Sequence, residues 1–204
     1  MRKFFAAAVV SAVALVGFAG VAGASATIDL IWSANGTDTI ADVADGSNIQ
    51  LRVILTAGPA GSQGGGVSVD YGQIEGLTVA SFQSTPGGAL PLLLGSTTDT
   101  GSRVENVNSA SFPPYVGTGL SAGQSHQLGT VTFNKSANVG NGTFEITSDV
   151  NGPTDDILNL AGAVVSSTST FNRATLINAP EPGALSLLIM GLGGMMLAGR
   201  GRRS

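Results

Sequence analysis

The segment Asn48–Thr56, which reads NIQLRVILT, carries the pattern that decides the fold. An apolar residue stands at every second position of the segment. Successive side chains of a β-strand point to opposite faces, so a strand here would place four apolar residues on one face: Ile49, Leu51, Val53 and Leu55. The other face would be mainly polar. The segment is therefore predicted to be a half-buried β-strand.

Eight further segments predict strands in the same region: Thr27–Ser33, Gly66–Tyr71, Leu77–Phe82, Arg103–Val107, Leu128–Asn134, Gly142–Ser148, Gly162–Ser169 and Arg173–Ile177. Turn signals such as Asn35-Gly36 and Asn141-Gly142 separate them, and Gly61–Gly66 is interpreted as a flexible hairpin tip. No helix of useful length is indicated between these strands. The pattern predicts an all-β fold, an antiparallel β-sandwich of about nine strands.

Three stretches of this region resemble cohesin-like sandwiches. The stretch Gly46-x-x-Ile49-x-Leu51-x-Val53-x-Leu55 looks like an early strand, and Val67–Tyr71 followed by Leu77 is similar to the next one. Leu120–Gly123 leading into Leu128–Phe133 resembles a later strand. The resemblance spans residues 27–150 and implies a cohesin or carbohydrate-binding-module superfamily. It transfers no partner-contacting or sugar-contacting residue to this chain.

The first 26 residues have the pattern of a secretory signal peptide. Arg2 and Lys3 precede a long apolar run, and Ala24-Ser25-Ala26 is a small-x-small cleavage site. A signal helix is therefore predicted over residues 1–26, with a mature chain that begins at Thr27. The alternatives are cleavage two residues earlier, after Ala22-Gly23-Ala24, and an uncleaved membrane anchor.

The C-terminal segment is also apolar. It opens with Pro180-Glu181-Pro182, continues without a charge from Gly183 to Gly199, and closes with three arginines: Arg200, Arg202 and Arg203. A helix over 183–199 would be about 25 Å long, a little less than a hydrocarbon core of about 30 Å, and so lies at the short end of the lengths that cross a membrane. The arginines would remain on the cytoplasmic side. A C-terminal transmembrane helix is predicted.

Residues 179–204 resemble the PEP-CTERM protein-sorting signal, which is also catalogued as an ice-binding-protein C-terminal domain. The Pro180-Glu181-Pro182 triplet, the apolar helix and the terminal arginines stand in the order of that signal. The resemblance implies a Gram-negative bacterium that makes exopolysaccharide, and an exosortase-type enzyme that processes the tail. The alternative is an ordinary C-terminal anchor that happens to follow prolines.

The composition of the chain excludes several kinds of chemistry. There is no cysteine, so disulfides and thiolate sites are excluded, and the single histidine excludes a multi-histidine metal centre. Residues 27–180 contain four basic and twelve acidic side chains and so carry a net charge of −8. Such a charge argues against nucleic acid as a partner.

Candidate reactive groups are few. His126 with Ser121 or Ser125 could begin a triad, but no nucleophile elbow accompanies them, and Asp155-Asp156 is the one adjacent carboxylate pair for glycoside hydrolysis. The same loop offers oxygen ligands for calcium from Asp149, Asn151, Asp155 and Asp156. The alternative for that loop is an Asn/Asp turn without a metal. No other cofactor is expected.

These observations divide the chain into a signal peptide (1–26), a β-sandwich (27–178) and a sorting signal (179–204). The leading hypothesis is an exported, non-enzymatic protein, tethered transiently to the inner membrane and then placed at the cell surface or in the exopolysaccharide matrix. Its expected partners are the exosortase-type enzyme and exopolysaccharide or a surface protein. One alternative is a membrane-tethered, cohesin-like module that binds carbohydrate or protein. The other is an enzyme that uses the loop carboxylates.

Overall fold

The computed structural model describes residues 25–179 apart from Asp42, Gln73 and Pro114. The described residues form twelve strands and one 3₁₀ turn, Ser166–Thr168. The strands are β1 (Ala26–Trp32), β2 (Thr39–Ala41), β3 (Asn48–Ala57), β4 (Gly64–Asp70), β5 (Leu77–Ser84), β6 (Thr98–Asp99), β7 (Arg103–Ala110), β8 (Ser125–Lys135), β9 (Gly142–Asp149), β10 (Ile157–Leu158), β11 (Thr170–Phe171) and β12 (Ala174–Asn178). The all-β prediction is confirmed.

The strands form two sheets. The first has the order β11-β1-β3-β8-β5, and the second has the order β2-β12-β9-β4-β7-β6, with β10 paired beside β4. The predicted C-terminal helix and residues 1–24 of the predicted signal helix lie outside the described residues, whereas Ala26, which the signal helix would include, is the first residue of β1. Within 25–179, no helix has the length and apolar character that crossing a membrane requires.

The core lies between the sheets and follows the alternation in the sequence. In β3 the alternate residues from Ile49 to Ala57 are buried, and β1 shows the same period from Ala26 to Trp32. Phe133 of β8 meets the rings of Trp32 and Tyr71 edge to face, with centroid distances of 6.4 and 5.3 Å. This is a preferred geometry for aromatic pairs, and it connects β1, β8 and the residue that directly follows β4.

The pairing is not antiparallel throughout. β11 pairs parallel with β1, and β12 pairs parallel with β2. The segment Gly162–Ser169 is not the single strand that the sequence predicts. Val164 forms only an isolated bridge with Leu158, Ser166–Thr168 form the 3₁₀ turn, and the strand that joins the sheet begins at Thr170. The consecutive hydroxyl residues 166–169 do not alternate with apolar ones, so they give no strand face to bury.

The glycine run Gly64-Gly65-Gly66 is not the flexible hairpin tip that the sequence predicts. All three residues are buried in β4, between β7 on one side and β10 on the other. A Cβ at Gly65 would lie 2.0 Å from the backbone oxygen of Asp156. The glycines are therefore needed because neighbouring backbone approaches β4 closely.

Candidate functional site

The structure does not give His126 the role of a general base. Its Nε2 lies 3.0 Å from the backbone oxygen of Thr85 and 3.2 Å from Oγ of Ser109. The carbonyl oxygen can only accept, so Nε2 carries the proton and donates it. Ser109 in turn donates to the backbone oxygen of Leu90 at 2.6 Å. Both groups therefore serve to hold a loop against β7 and β8.

The first two predicted calcium ligands are engaged with protein groups. Asp149 accepts a hydrogen bond from Arg103, with which it forms an ion pair. Asn151 donates to the same carboxylate through its backbone N–H at 3.0 Å and through Nδ2 at 2.9 Å. This arrangement is an Asx turn closed by an arginine, and it leaves no carboxylate oxygen of Asp149 without a partner.

The other two predicted ligands, Asp155 and Asp156, point apart. Asp155 is 5% exposed, and its Oδ2 accepts hydrogen bonds from Ser68 Oγ and from the backbone N–H of Gly152. Asp156 is exposed and accepts from Ser166 Oγ at 3.1 Å. No group of three or more acidic or histidine side chains converges within the part of the chain that the structure describes. The four-residue calcium site stays a prediction.

Burial raises the pKa of the Asp155 carboxyl above its usual range. The hydrogen bonds from Ser68 and Gly152, the backbone N–H of Asn106 and the Arg103 charge lower it and offset part of this effect. A raised pKa is a property of general acids. Asp155 nevertheless lies beneath the surface, so a bulky substrate such as a glycoside cannot reach it.

Two asparagines of β7 take part in the same buried network, and sequence reasoning did not identify them. Asn106 and Asn108 are 4% and 0% exposed. Their side chains hold the connection between β5 and β6: Asn106 donates to the backbone oxygens of Leu94 and Ser96, and Asn108 accepts from the N–H of Leu94. The sequence predicts a strand over Arg103–Val107, but it assigns no buried role to Asn106 and does not include Asn108.

The exposed hydrophobic surface is confined to one end of the sandwich. Six large hydrophobic residues, which we call the hydrophobic tip, are exposed: Leu93, Phe112, Tyr115, Val116, Leu160 and Val164. They account for every exposed large hydrophobic side chain in the described part of the chain. Phe112 and Tyr115 stack, with centroids 5.7 Å apart and ring planes 20° apart.

The segments that carry the hydrophobic tip are tied to one another. Leu92 and Ala110 exchange backbone hydrogen bonds, which places Leu93 beside the start of the Phe112–Val116 turn. The side chain of Leu160 lies over Gly61 and Gly119. The tip is thus formed by three loops that pack at the same end of the two sheets.

Of the predicted signal-cleavage residues, Ala24 and Ala26, and the predicted sorting residues, only Ala26 lies in the described part of the chain. Ala24 and the sorting residues Pro180, Glu181, Pro182, Arg200, Arg202 and Arg203 lie outside the described residues. Ala26 is described: it is the first residue of β1, is 1% exposed and pairs with Ala57.

No family model matches the sequence, and the search of curated proteins found no match. Solved structures of cohesins do share the fold. The third cohesin of ScaC in complex with the ScaB dockerin, from Acetivibrio cellulolyticus, has a TM-score of 0.51 at 13% identity, covering 76% of this chain and 99% of that one. The seventh type I cohesin of ScaB from Pseudobacteroides cellulosolvens has a TM-score of 0.52 at 10% identity, with coverage of 77% and 94%. CaCohA2 from Clostridium acetobutylicum has a TM-score of 0.51 at 10% identity, with coverage of 79% and 95%. The fold is therefore that of a cohesin-like β-sandwich.

Proposed function

We propose that the chain is an exported, non-enzymatic binding module that recognises a partner protein through its hydrophobic tip. The observation that carries the proposal is the confinement of all six exposed large hydrophobic side chains to that tip. Soluble domains rarely gather exposed apolar groups in one place unless the surface is used in binding.

A protein partner fits the tip better than a carbohydrate does. Sugar rings stack on flat aromatic faces that are open to solvent. Phe112 and Tyr115 instead stack on each other, so each ring covers one face of its neighbour. Tyr115 remains 79% exposed, and the other exposed side chains of the hydrophobic tip are aliphatic. A combination of exposed aromatic and aliphatic side chains is typical of the centre of a protein–protein interface.

The cohesin-like fold supports a protein-binding role in general terms, without identifying the partner. One of the structural neighbours, the ScaC cohesin, is described in complex with a dockerin. At 13% identity this likeness concerns the fold, and it transfers neither a dockerin partner nor a binding face to this chain. It does show that a sandwich of this kind can serve as a protein-binding module.

The topology is compatible with a tether at the C-terminus. β12 ends at Asn178, which pairs with Gly142 and donates to the backbone oxygen of Val139 at 2.7 Å. The hydrophobic tip lies near Gly64, at the opposite end of the second sheet. A membrane anchor after residue 178 would therefore direct the tip away from the membrane.

We further propose that residues 179–204 are a PEP-CTERM signal read by an exosortase-type enzyme at the inner membrane. The support is the order of Pro180-Glu181-Pro182, the uncharged run 183–199 and the terminal arginines. The processed protein would then reside at the cell surface or in the exopolysaccharide matrix.

In-cell photo-crosslinking tests the binding role. A photo-crosslinking amino acid is placed at Tyr115 of the full chain in the producing cells, and a control is placed at Gln50, which is exposed on β3. We expect one discrete protein adduct from position 115 and none from position 50, and Phe112→Ser should abolish it. Equal labelling from both positions would contradict a binding role for the tip.

Intact mass tests the sorting role separately. We expect protein recovered from the surface or matrix to end near Pro180. A membrane fraction that retains Arg200 to Arg203, with no released form, would instead identify the segment as a plain anchor.

A further inference from the structure

Two buried oxygen atoms approach the same point beside Gly66 without a hydrogen-bond partner. They are Oδ1 of Asn106 and Oδ1 of Asp155, and both residues are more than nine-tenths buried. A Cβ placed on Gly66 would lie 2.7 Å from the first oxygen and 3.4 Å from the second. The missing side chain of Gly66 leaves the space that both oxygens face.

The orientation of the Asn106 amide is fixed by its other contacts. Its Nδ2 donates to the backbone oxygens of Leu94 and Ser96 at 2.8 and 3.1 Å. A flipped amide would set Oδ1 against these two carbonyl oxygens and lose both hydrogen bonds. Oδ1 of Asn106 must therefore face the space at Gly66.

Hydrogen bonds also fix the orientation of the Asp155 carboxylate. Its Oδ2 accepts from Ser68 and Gly152, which leaves Oδ1 directed at the same space. Arg103 is the nearby cation, but it forms an ion pair with Asp149, and the two charges offset each other. Asp155 thus takes part in none of the ion pairs among the described residues. Buried acceptors without partners are rare in native proteins and call for an occupant.

We propose that Asn106 Oδ1 and Asp155 Oδ1 are ligands of a hard divalent cation of the calcium class, with water completing its coordination. Carboxylate and amide oxygens are the donors that calcium prefers, and calcium tolerates irregular geometry. An open pocket of about 190 Å³, lined by Asn106, Glu105 and Thr154 among others, adjoins Asn106 on the solvent side.

The cation would join β7 of the second sheet to two connections that pack against it. Asn106 belongs to β7 and holds residues 94–96 of the β5–β6 connection through its amide, and Asp155 belongs to the connection between β9 and β10. Of the four residues that the sequence suggested for calcium, only Asp155 takes part. With a single carboxylate the site should bind weakly, with a dissociation constant of about 1 mM, as in extracellular calcium modules.

The test is the thermal stability of the full chain, purified in detergent and treated with a chelator. Unfolding is followed through the fluorescence of Trp32, the one tryptophan. We expect 10 mM CaCl₂ to raise the Tm by about 4 °C relative to NaCl of equal ionic strength, and MgCl₂ to raise it less. Calorimetric titration should show one calcium per chain. A Tm that calcium leaves unchanged overturns the proposal, and that is also the result expected if Asp155 Oδ1 holds a proton instead.

Asp155→Asn identifies the ligand. The new amide can keep the hydrogen bonds from Ser68 and Gly152 and donate to Asn106 Oδ1, so it would satisfy the pair of oxygens without a metal. We expect this variant to fold and to lose the calcium shift. Asp156→Asn, at the exposed neighbouring carboxylate, is the matched control and should retain the full shift. Loss of the shift in the control, or its retention in Asp155→Asn, would overturn the assignment.

Discussion

The indole N–H of Trp32 donates a hydrogen bond to the backbone oxygen of Thr175, with 3.0 Å between Nε1 and the oxygen. Trp32 ends β1 in the first sheet, and Thr175 lies in β12 of the second. The indole ring is fully buried and meets Phe133 edge to face. One side chain therefore both fills the core and connects the two sheets at the end where the described chain finishes.

Trp32→Phe should lower the free energy of unfolding by about 2 kcal/mol, because it leaves a cavity and removes the hydrogen bond that the indole donates to the Thr175 oxygen. The measurement is urea unfolding followed by far-UV circular dichroism. Phe112→Leu is the control, since this aromatic ring is exposed, and its effect should stay within about 0.5 kcal/mol. Equal effects of the two substitutions would contradict a connecting role for Trp32.

Lys135 is a buried cation, 2% exposed, and its ammonium group pairs with Asp45. Removing the carboxylate in Asp45→Ala leaves that charge without its ion-pair partner, so we expect a loss of about 2 kcal/mol, moderated because Asp45 is half-exposed. The same change made in a Lys135→Met background should cost much less. The check is a double-mutant cycle from denaturant unfolding, and additive losses would show that the pair is not coupled.

The strand positions could largely be predicted from the sequence because the core obeys a local rule. β3, β8 and β9 lie where the alternation placed them, since each buries one face against the other sheet. The parallel partners of the edge strands could not be found this way. Thr27 pairs with Thr170 through backbone atoms, and no side-chain pattern near either residue encodes that long-range pairing.

The buried polar network was missed for a related physical reason. Alternation assumes that one face of a strand meets water, yet Ser68 and Asn108 are fully buried because loops cover the outer face of the second sheet. Asn106 also adopts a φ of 56°, the one left-handed non-glycine residue among those described. It lies where the register between β4 and β7 shifts, and a bulge of this kind redirects a side chain without a signature in the sequence.

The start of the mature chain can be predicted more narrowly from the packing of β1. The N–H of Ser25 donates to the backbone oxygen of Thr168, and its carbonyl oxygen accepts from Gly58 at 3.0 Å. Cleavage after Ala26 would remove these contacts and a buried residue. We therefore expect signal cleavage after Ala24, with Ser25 as the first residue. N-terminal sequencing of exported protein is the check, and a chain that begins at Thr27 would contradict it.

Tyr71 should make stability fall at high pH. Burial raises the pKa of its hydroxyl above the usual value, and the hydrogen bond donated to Asp99, at 2.6 Å, raises it further. The folded state thus favours the neutral phenol, so this stabilisation is complete below the unfolded-state pKa of about 10 and is lost as pH rises from there through the folded-state value. Denaturant unfolding between pH 8 and 11.5 measures it.

Tyr71→Phe should remove this alkaline loss, at the cost of the hydrogen bond to Asp99 at neutral pH. Tyr115→Phe is the matched control, because it removes the same group from the only other tyrosine, whose side chain is 79% exposed. If the two variants follow the same pH dependence, Tyr71 is not its source.

Gly64 and Gly101 distinguish two physical reasons why a position requires glycine: a positive φ, and a lack of space for a Cβ. Both have positive φ, 92° and 86°, but a Cβ at Gly64 would lie 2.1 Å from the backbone oxygen of Ser109, whereas nothing lies within 4 Å of one at Gly101. Gly101→Ala should therefore cost about 1 kcal/mol, from backbone strain alone. Gly64→Ala must also move β7 away from β4, so we expect a loss of about 3 kcal/mol or failure to accumulate as folded protein. Thermal and denaturant unfolding of the two variants, with the folded yield recorded, measure the difference. Equal costs would mean that β4 and β7 can separate without penalty, and the closeness of the two strands would then not explain the glycine run.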